Sequence, residues 1–241
     1  MLKYNFICLK KRVFVFALML FLLWGACAFG EVMSIYVNNE NEMKNAVGLI
    51  NTYDEGEFII VLNDDIEMST TIDFSSAATK TILGNDKTLS LGKQKESQGS
   101  SDDYKDSFIV LWNGRLNLGD ESGSGLTIRQ KHGITGGDSS SCIQVIANNK
   151  GGTTNNPVLN MYEGVTIDSW TVNNSYGAAV RLHSHQFDKE LTSTFNMYGG
   201  TIKNCGYTYD YGSNRIGGGV AVMYNGEFYM YGGGYNRMQS R

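Results

Sequence analysis

The chain has 241 residues, enough for one domain or two with a sizeable core. Its 29 glycines against a single proline, Pro157, fit many tight turns between β segments and argue against a disordered linker. The formal charge is −4, but beyond residue 30 it falls to −8, because Lys3, Lys10, Lys11 and Arg12 drop out and leave 16 basic residues against 24 acidic ones; a surface of that sign argues against nucleic acid as the main partner.

In chain order, the basic residues up to Arg12 precede an unbroken apolar run from Val13 to Trp24, followed by Gly25, Ala26, Cys27, Ala28, Phe29 and Gly30. Residues 1–30 thus have the three-part layout of a secretory signal, with Ala26-Cys27-Ala28 or Ala28-Phe29-Gly30 as the cleavage triplet. The apolar run is shorter than the roughly 20 residues of a membrane-spanning helix, so an uncleaved anchor ranks behind cleavage. Leu23-Trp24-Gly25-Ala26-Cys27 also resembles a bacterial lipoprotein box, with Trp24 where that family usually has leucine, and this implies a lipid anchor at Cys27 as the membrane contact. Export to the medium or the cell surface is common to both readings.

Residues 31–56 read as an N-terminal cap. Asn39 and Glu42 open a helix as in a capping box, and Met43, Ala46, Val47 and Ile50 follow at helical spacing as one apolar stripe. From residue 57 to 241 the pattern is β. Phe58–Leu62, Ile66–Met68, Thr71–Phe74, Thr81–Leu83 and Thr88–Leu91 are short strands, broken by Asn63-Asp64-Asp65, Ser75-Ser76 and Gly84-Asn85-Asp86-Lys87. Residues 92–107 are polar throughout and read as an exposed loop insertion. Strands resume at 108–112, Arg115–Leu118, 126–128 and 143–146.

A short phrase then recurs. Leu159-Asn160-Met161-Tyr162-Glu163-Gly164-Val165-Thr166-Ile167 is followed by Phe195-Asn196-Met197-Tyr198-Gly199-Gly200-Thr201-Ile202, then by Phe228-Tyr229-Met230-Tyr231-Gly232-Gly233. A fainter copy begins at Leu116, so the first residues of the copies lie 43, 36 and 33 positions apart. Self-similarity at such a period marks a solenoid or a propeller, whose units cannot bury their apolar faces alone. Alternation within each copy sends Leu159, Phe195, Phe228, Met161, Met197 and Met230 inward, and Asn160, Asn196, Tyr229, Tyr162, Tyr198 and Tyr231 outward. A further strand per turn is read at 178–182 and 219–223.

Cys142 and Cys205 remain once the leader is set aside, and they fall in the first and third repeat periods. Two layers of about 4.8 Å separate them by about 10 Å, beyond the roughly 7 Å that a disulfide allows between Cα atoms, so they are expected to be unpaired.

The capping helix, the ladder from Phe58 to Leu89 and the Gly199-Gly200-Thr201-Ile202 and Gly217-Gly218-Gly219-Val220 phrases resemble bacterial adhesin-like surface proteins with a right-handed parallel β-helix (pectin-lyase-like). The resemblance covers residues 36–234. It implies an all-β solenoid with a short N-terminal capping helix. The tail from Gly234 to Arg241 departs from the repeat where another Thr-Ile is expected, and no cap, translocation barrel or wall-sorting signal follows it. The expectation is therefore a truncated or short member with an open C-terminal rung. The competing fold is a fragment of a kelch-like propeller, whose blades run about 50 residues, longer than the spacings here.

Two clusters carry candidate chemistry. Arg181, His183 and His185 share one strand face with Asp188 close behind. In the lyases of the resembled group a basic residue takes the proton α to a uronate carboxylate, and carboxylates hold calcium; two histidines two apart could instead hold a transition metal. A solvated turn is the preferred reading, because no third ligand or acid cluster accompanies them. The outward tyrosines Tyr162, Tyr198, Tyr229 and Tyr231, with Asn160 and Asn196, form a candidate glycan platform; the competing reading is a ladder that stabilises the fold by same-column contact. Asp102, Asp103 and Asp106 lack the spacing of a calcium loop, and no metal site or cofactor is assigned.

The function expected is that of an exported, non-catalytic surface protein binding glycans or cell surfaces through its flank. A polysaccharide lyase or hydrolase is the enzyme alternative, and a truncated, non-functional fragment is the third.

Overall fold

The computed structural model describes residues 32–92, 107–131, 141–150, 153–172, 177–184, 190–207 and 218–236, all within one compact unit, Val32–Arg241. Residues 1–30, read as a secretory signal with Cys27 as a candidate anchor point, together with Asp102, Asp103, Asp106, His185 and Asp188, lie outside the described residues.

The chain enters with β1 (Val32–Val37) and helix α1 (Glu40–Ile50). Three strands follow as β2 (Glu57–Leu62), β3 (Ile66–Met68) and β4 (Ile72–Phe74), and the next pass repeats them as β5 (Thr79–Leu83), β6 (Lys87–Leu91) and β7 (Ile109–Leu111). A third pass has β8 (Arg115–Leu118), β9 (Leu126–Gln130) and β10 (Ile143–Lys150), with β11 (Thr153–Asn155) turning back on β10. The fourth has β12 (Val158–Met161), β13 (Val165–Asp168), β14 (Thr171–Val172) and β15 (Val180–Ser184). The fifth has β16 (Ser193–Met197), β17 (Thr201–Lys203), β18 (Gly206–Tyr207) and β19 (Val220–Val222), and β20 (Gly226–Met230) and β21 (Gly234–Asn236) begin another.

Corresponding strands pair side by side. The first sheet runs β1-β2-β5-β8-β12-β16-β20, the second β3-β6-β9-β13-β17-β21 and the third β4-β7-β10-β15-β19, with β14 and β18 forming a short fourth. Every pairing between passes is parallel, and among the described residues only β10 and β11 pair antiparallel. Over the described residues the fold is therefore all-β with parallel sheets and one helix. Propeller blades are antiparallel sheets, so the kelch-like alternative fails: its repeated motifs would lie in separate blades, whereas here Leu116, Leu159, Phe195 and Phe228 sit in one row.

Period-two alternation fixes what each row buries. Along the first sheet the inward rows are Phe58, Lys80, Leu116, Leu159, Phe195 and Phe228, and Ile60, Ile82, Leu118, Met161, Met197 and Met230. The second sheet adds Leu89, Ile128, Ile167 and Ile202, and the third Ile72, Ile109, Ile143 and Val180. Apart from Lys80 and the exposed Met230, these residues join one core, with Phe228 packed against it. Aromatic stacking extends it, with Phe195 on Phe228 at 5.0 Å and Phe108 on Trp170 at 5.6 Å between ring centroids.

Helix α1 buries Met43, Ala46, Val47 and Ile50, the stripe read from the sequence. Asn39 Oδ1 accepts from the Glu42 amide at 3.1 Å, a cap worth about 1 kcal/mol. The reciprocal arm closes one residue further out than expected, since Glu42 Oε2 accepts from the backbone and side-chain nitrogens of Asn38, each at 2.8 Å. Among the described residues no helix is long and apolar enough to cross a membrane.

Several expectations need correction. The cap region contributes β1 to the first sheet, and each full pass carries three main strands. Gly92 and Ser107, read as ends of an exposed loop, are buried: the Gly92 amide donates to the Met68 carbonyl at 2.7 Å, which ties it to the previous pass. Met230, expected inside, is 45% exposed, and Phe228 is half-buried. Both face inward, but no described strand lies beyond β20 to cover them. Residues 234–236 continue the second sheet without a Thr-Ile pair, Tyr235 taking the place opposite Ile202.

Candidate functional site

The residues read as a candidate glycan platform lie on or just beyond the outward face of the first sheet. They get there because parallel register places equivalent residues of successive passes beside one another: Asn117, Asn160, Asn196 and Tyr229 form one row, and each row of the sheet is flanked by residues two positions away. Tyr162, Tyr198 and Tyr231 follow directly after β12, β16 and β20, each just before the turn into the second sheet.

Those turns need glycine. Gly164, Gly200 and Gly233 have φ of +80°, +83° and +89°, a region L side chains rarely adopt. A Cβ on Gly200 would stand 2.6 Å from the Val165 carbonyl oxygen, so the turn can lie flat on the one before it only with hydrogen there. Glu163 Oε2 also accepts from the Gly200 amide at 3.3 Å. Stacked turns bring the tyrosines into register, with Tyr162 and Tyr198 at 5.3 Å and Tyr198 and Tyr231 at 5.2 Å between centroids, their planes 26° and 12° apart. Tyr229 lies 6.3 Å from Tyr231. Tyr198, Tyr229 and Tyr231 are exposed and Tyr162 is half-buried.

This geometry alters the platform expected from the sequence. Because the tyrosines stack on each other, their ring faces are largely taken, and edges and hydroxyls turn to solvent. Burial raises the Tyr162 hydroxyl above its ordinary pKa, with Tyr198, Glu121 and Asp120 acting in the same direction and Arg115 against them. Tyr229 is raised first by its hydrogen bond to Glu227, the hydroxyl donating to Oε2 at 3.1 Å.

The asparagines are not free for a ligand in the way expected. Asn117 Nδ2 donates to Thr81 Oγ1 at 3.1 Å, Asn160 Nδ2 to Asn117 Oδ1 at 2.8 Å, and Asn196 Nδ2 to Asn160 Oδ1 at 3.0 Å. Asn160, expected to be exposed, is only 4% so. Its amide serves the ladder, while Asn196 is half-buried at the ladder's end. The strand pattern assigns no role to the side chains of Thr81 and Asn117, although Asn117 holds the second place of the earliest copy.

The second cluster is placed differently. Arg181 is buried on the outward side of the third sheet, opposite Gln144 and Ala221, and His183 meets the edge of Tyr224 at 5.3 Å. Gln144 is itself buried, its Oε1 accepting from Ser107 Oγ at 3.2 Å. The solvated turn read for this stretch therefore does not describe Arg181. Among the described residues no group of three or more His, Cys, Asp or Glu is placed to hold a metal ion.

The second sheet presents a row the sequence reading did not single out: Thr88, Thr127, Thr166 and Thr201 stand outward in line, beside Ser90, Arg129, Asp168 and Lys203. Lys203 pairs with Asp168 at 3.6 Å, and Asn204, Ser169 and Lys203 together outweigh burial to keep the Asp168 carboxyl below its usual range. The signal was readable in the Thr-Ile pairs.

The chain matches no family model, no curated protein and no solved structure. The functional reading thus rests on the sequence and on the geometry above.

Proposed function

We propose that this is an exported surface protein, a right-handed parallel β-helix capped by α1, that binds cell-surface glycans through the outward face of its first sheet without catalysis. The observation that carries the reading is the column Tyr162, Tyr198 and Tyr231, set 5.3 and 5.2 Å apart beside the asparagine ladder. A regular row of hydroxyl-bearing aromatics suits a polymer of hydroxyl-bearing units, since each phenol can both donate and accept. The three-part N-terminus supports export, by signal cleavage or by lipidation at Cys27. The strand order supports the β-helix, because the chain visits the three main sheets in a fixed sequence and returns to each one strand further on.

The lyase alternative would place Arg181 at the chemistry. Its burial on the third sheet disfavours contact with a polymer. Binding of the purified chain to immobilised cell-surface polysaccharides tests the reading. The double variant Tyr198→Ala, Tyr231→Ala is expected to lose binding, and polyuronate cleavage abolished by Arg181→Ala in a still-folded chain would overturn it in favour of the enzyme.

A further inference from the structure

Resting on that reading, we propose that the tyrosine column takes a neutral, extended β-1,4-linked polysaccharide lying along the direction in which the strands stack, one sugar beside each pass.

Three observations converge. The first is spacing. The ring centroids step by 5.3 and then 5.2 Å, close to the separation of neighbouring strands in any sheet. An extended β-1,4-linked pyranose chain advances by nearly the same distance per sugar, because equatorial bonds at both ends of each ring keep the polymer a straight ribbon. Such a chain stays in step with the column without bending. An α-1,4-linked chain coils and drifts out of register after the first contact.

The second is the chemistry on offer. With the ring faces stacked, the column presents edges and phenol hydroxyls, each able to give and take a hydrogen bond. A ribbon with hydroxyls along its edge satisfies such a row, whereas a flat ring seeking an open aromatic face does not. Asn196 at the end of its ladder adds a half-buried amide beside Tyr198.

The third is charge. Asp120 and Glu121 lie close enough to Tyr162 to oppose its ionisation, Glu227 receives the Tyr229 hydroxyl, and Glu163 stands exposed in the turn after Tyr162. Arg115 is the one cation among the described outward strand residues of this sheet, set against Glu57 and Glu227. The field along the column is therefore negative, and a polyuronate would meet repulsion that a neutral chain does not.

The test is calorimetric titration of the purified chain with cello- and chito-oligosaccharides of two to six sugars, with malto-oligosaccharides and oligogalacturonates as comparators. The β-1,4-linked neutral chains are expected to bind, with affinity rising at least tenfold from two sugars to three and little beyond, since three tyrosines form the column. Tyr198→Ala should lower that affinity tenfold or more. Tyr198→Phe, which keeps the stack and the fold, should also weaken it, and Tyr36→Ala, far along the same sheet, should leave it unchanged. If galacturonates or maltose chains bind instead and Tyr198→Ala removes that binding, the inference falls while glycan binding by this face stands. If no glycan of any class binds the folded chain, both fall.

Discussion

Asn160 donates its side-chain amide to the side-chain oxygen of Asn117, one pass away, at 2.8 Å. It also accepts from Asn196 at 3.0 Å, so a single buried residue links three passes of the first sheet. Removing it orphans an acceptor on one side and a donor on the other, and an orphaned polar group costs more than a hydrogen bond contributes. Asn160→Ala is expected to lower unfolding free energy by about 2–3 kcal/mol, and Asn196→Ala, at the half-buried end, by about 1 kcal/mol. Urea unfolding of the two variants checks the order; equal losses would mean that the ladder contributes nothing as a network.

Gly200 and Gly123 share a positive φ but not a neighbourhood. A Cβ at Gly200 would lie 2.6 Å from the Val165 oxygen and 2.8 Å from the Tyr162 oxygen, both backbone atoms that cannot swing away, whereas at Gly123 it would meet nothing within 4 Å. Gly123→Ala therefore carries only the left-handed penalty of about 1–2 kcal/mol. Gly200→Ala adds displacement of the stacked turn and is expected to cost more than twice as much, or to prevent folding. Thermal melts of the pair decide this, and comparable losses would show that the turns do not lie as tightly as described.

How much of this could be read in the sequence follows from what periodicity encodes. The row Leu116, Leu159, Phe195, Phe228 is legible because similar phrases at similar intervals stack like on like, and the helix is legible through its cap and stripe. Alternation tells which side a residue faces but not what its neighbours do there. Alternation thus sends Asn160 outward but does not show that Asn117 and Asn196 flank and bond to its side chain, which is only 4% exposed. Met230 was correctly placed inward and its exposure missed, because the cover depends on a strand beyond β20. Lys80 breaks the apolar pattern that identifies inward positions, so periodicity alone does not place it in the row it occupies.

Cys142 and Cys205 are both buried and unbridged. Burial raises both thiols, Cys205 to about 11, so neither forms much thiolate at neutral pH. Alkylation of the native chain at pH 7.5, followed by peptide mapping, is expected to leave both unmodified, and both should react fully once the chain is unfolded. A peptide carrying the two joined by a disulfide, or rapid native modification of either, would contradict the buried dithiol.

Lys80 sits in an inward row between Phe58 and Leu116, and its Nζ donates to the carbonyls of Ser76 at 2.6 Å and Asn113 at 3.0 Å. Two carbonyls do not replace the water an ammonium loses, and burial draws the group from 10.5 down to about 7. The unfolded chain keeps the ordinary value. Between about pH 7 and 10.5 it therefore holds a proton that the folded chain has released, so this residue makes stability rise with pH across that window. Below about 7 both states are protonated and the slope vanishes. The buried cysteines act oppositely, because the folded chain retains their protons while the unfolded chain loses them above about pH 8.5. Subtracting a variant isolates the lysine. Lys80→Met keeps the stem and fills the row with apolar atoms, and its stability advantage over the parent chain is expected to shrink between pH 7 and 9, by up to about 1.4 kcal/mol per pH unit. Paired urea titrations measure that difference directly. An advantage that stays constant or grows over this range would place a charged, solvated lysine where the structure has a buried one.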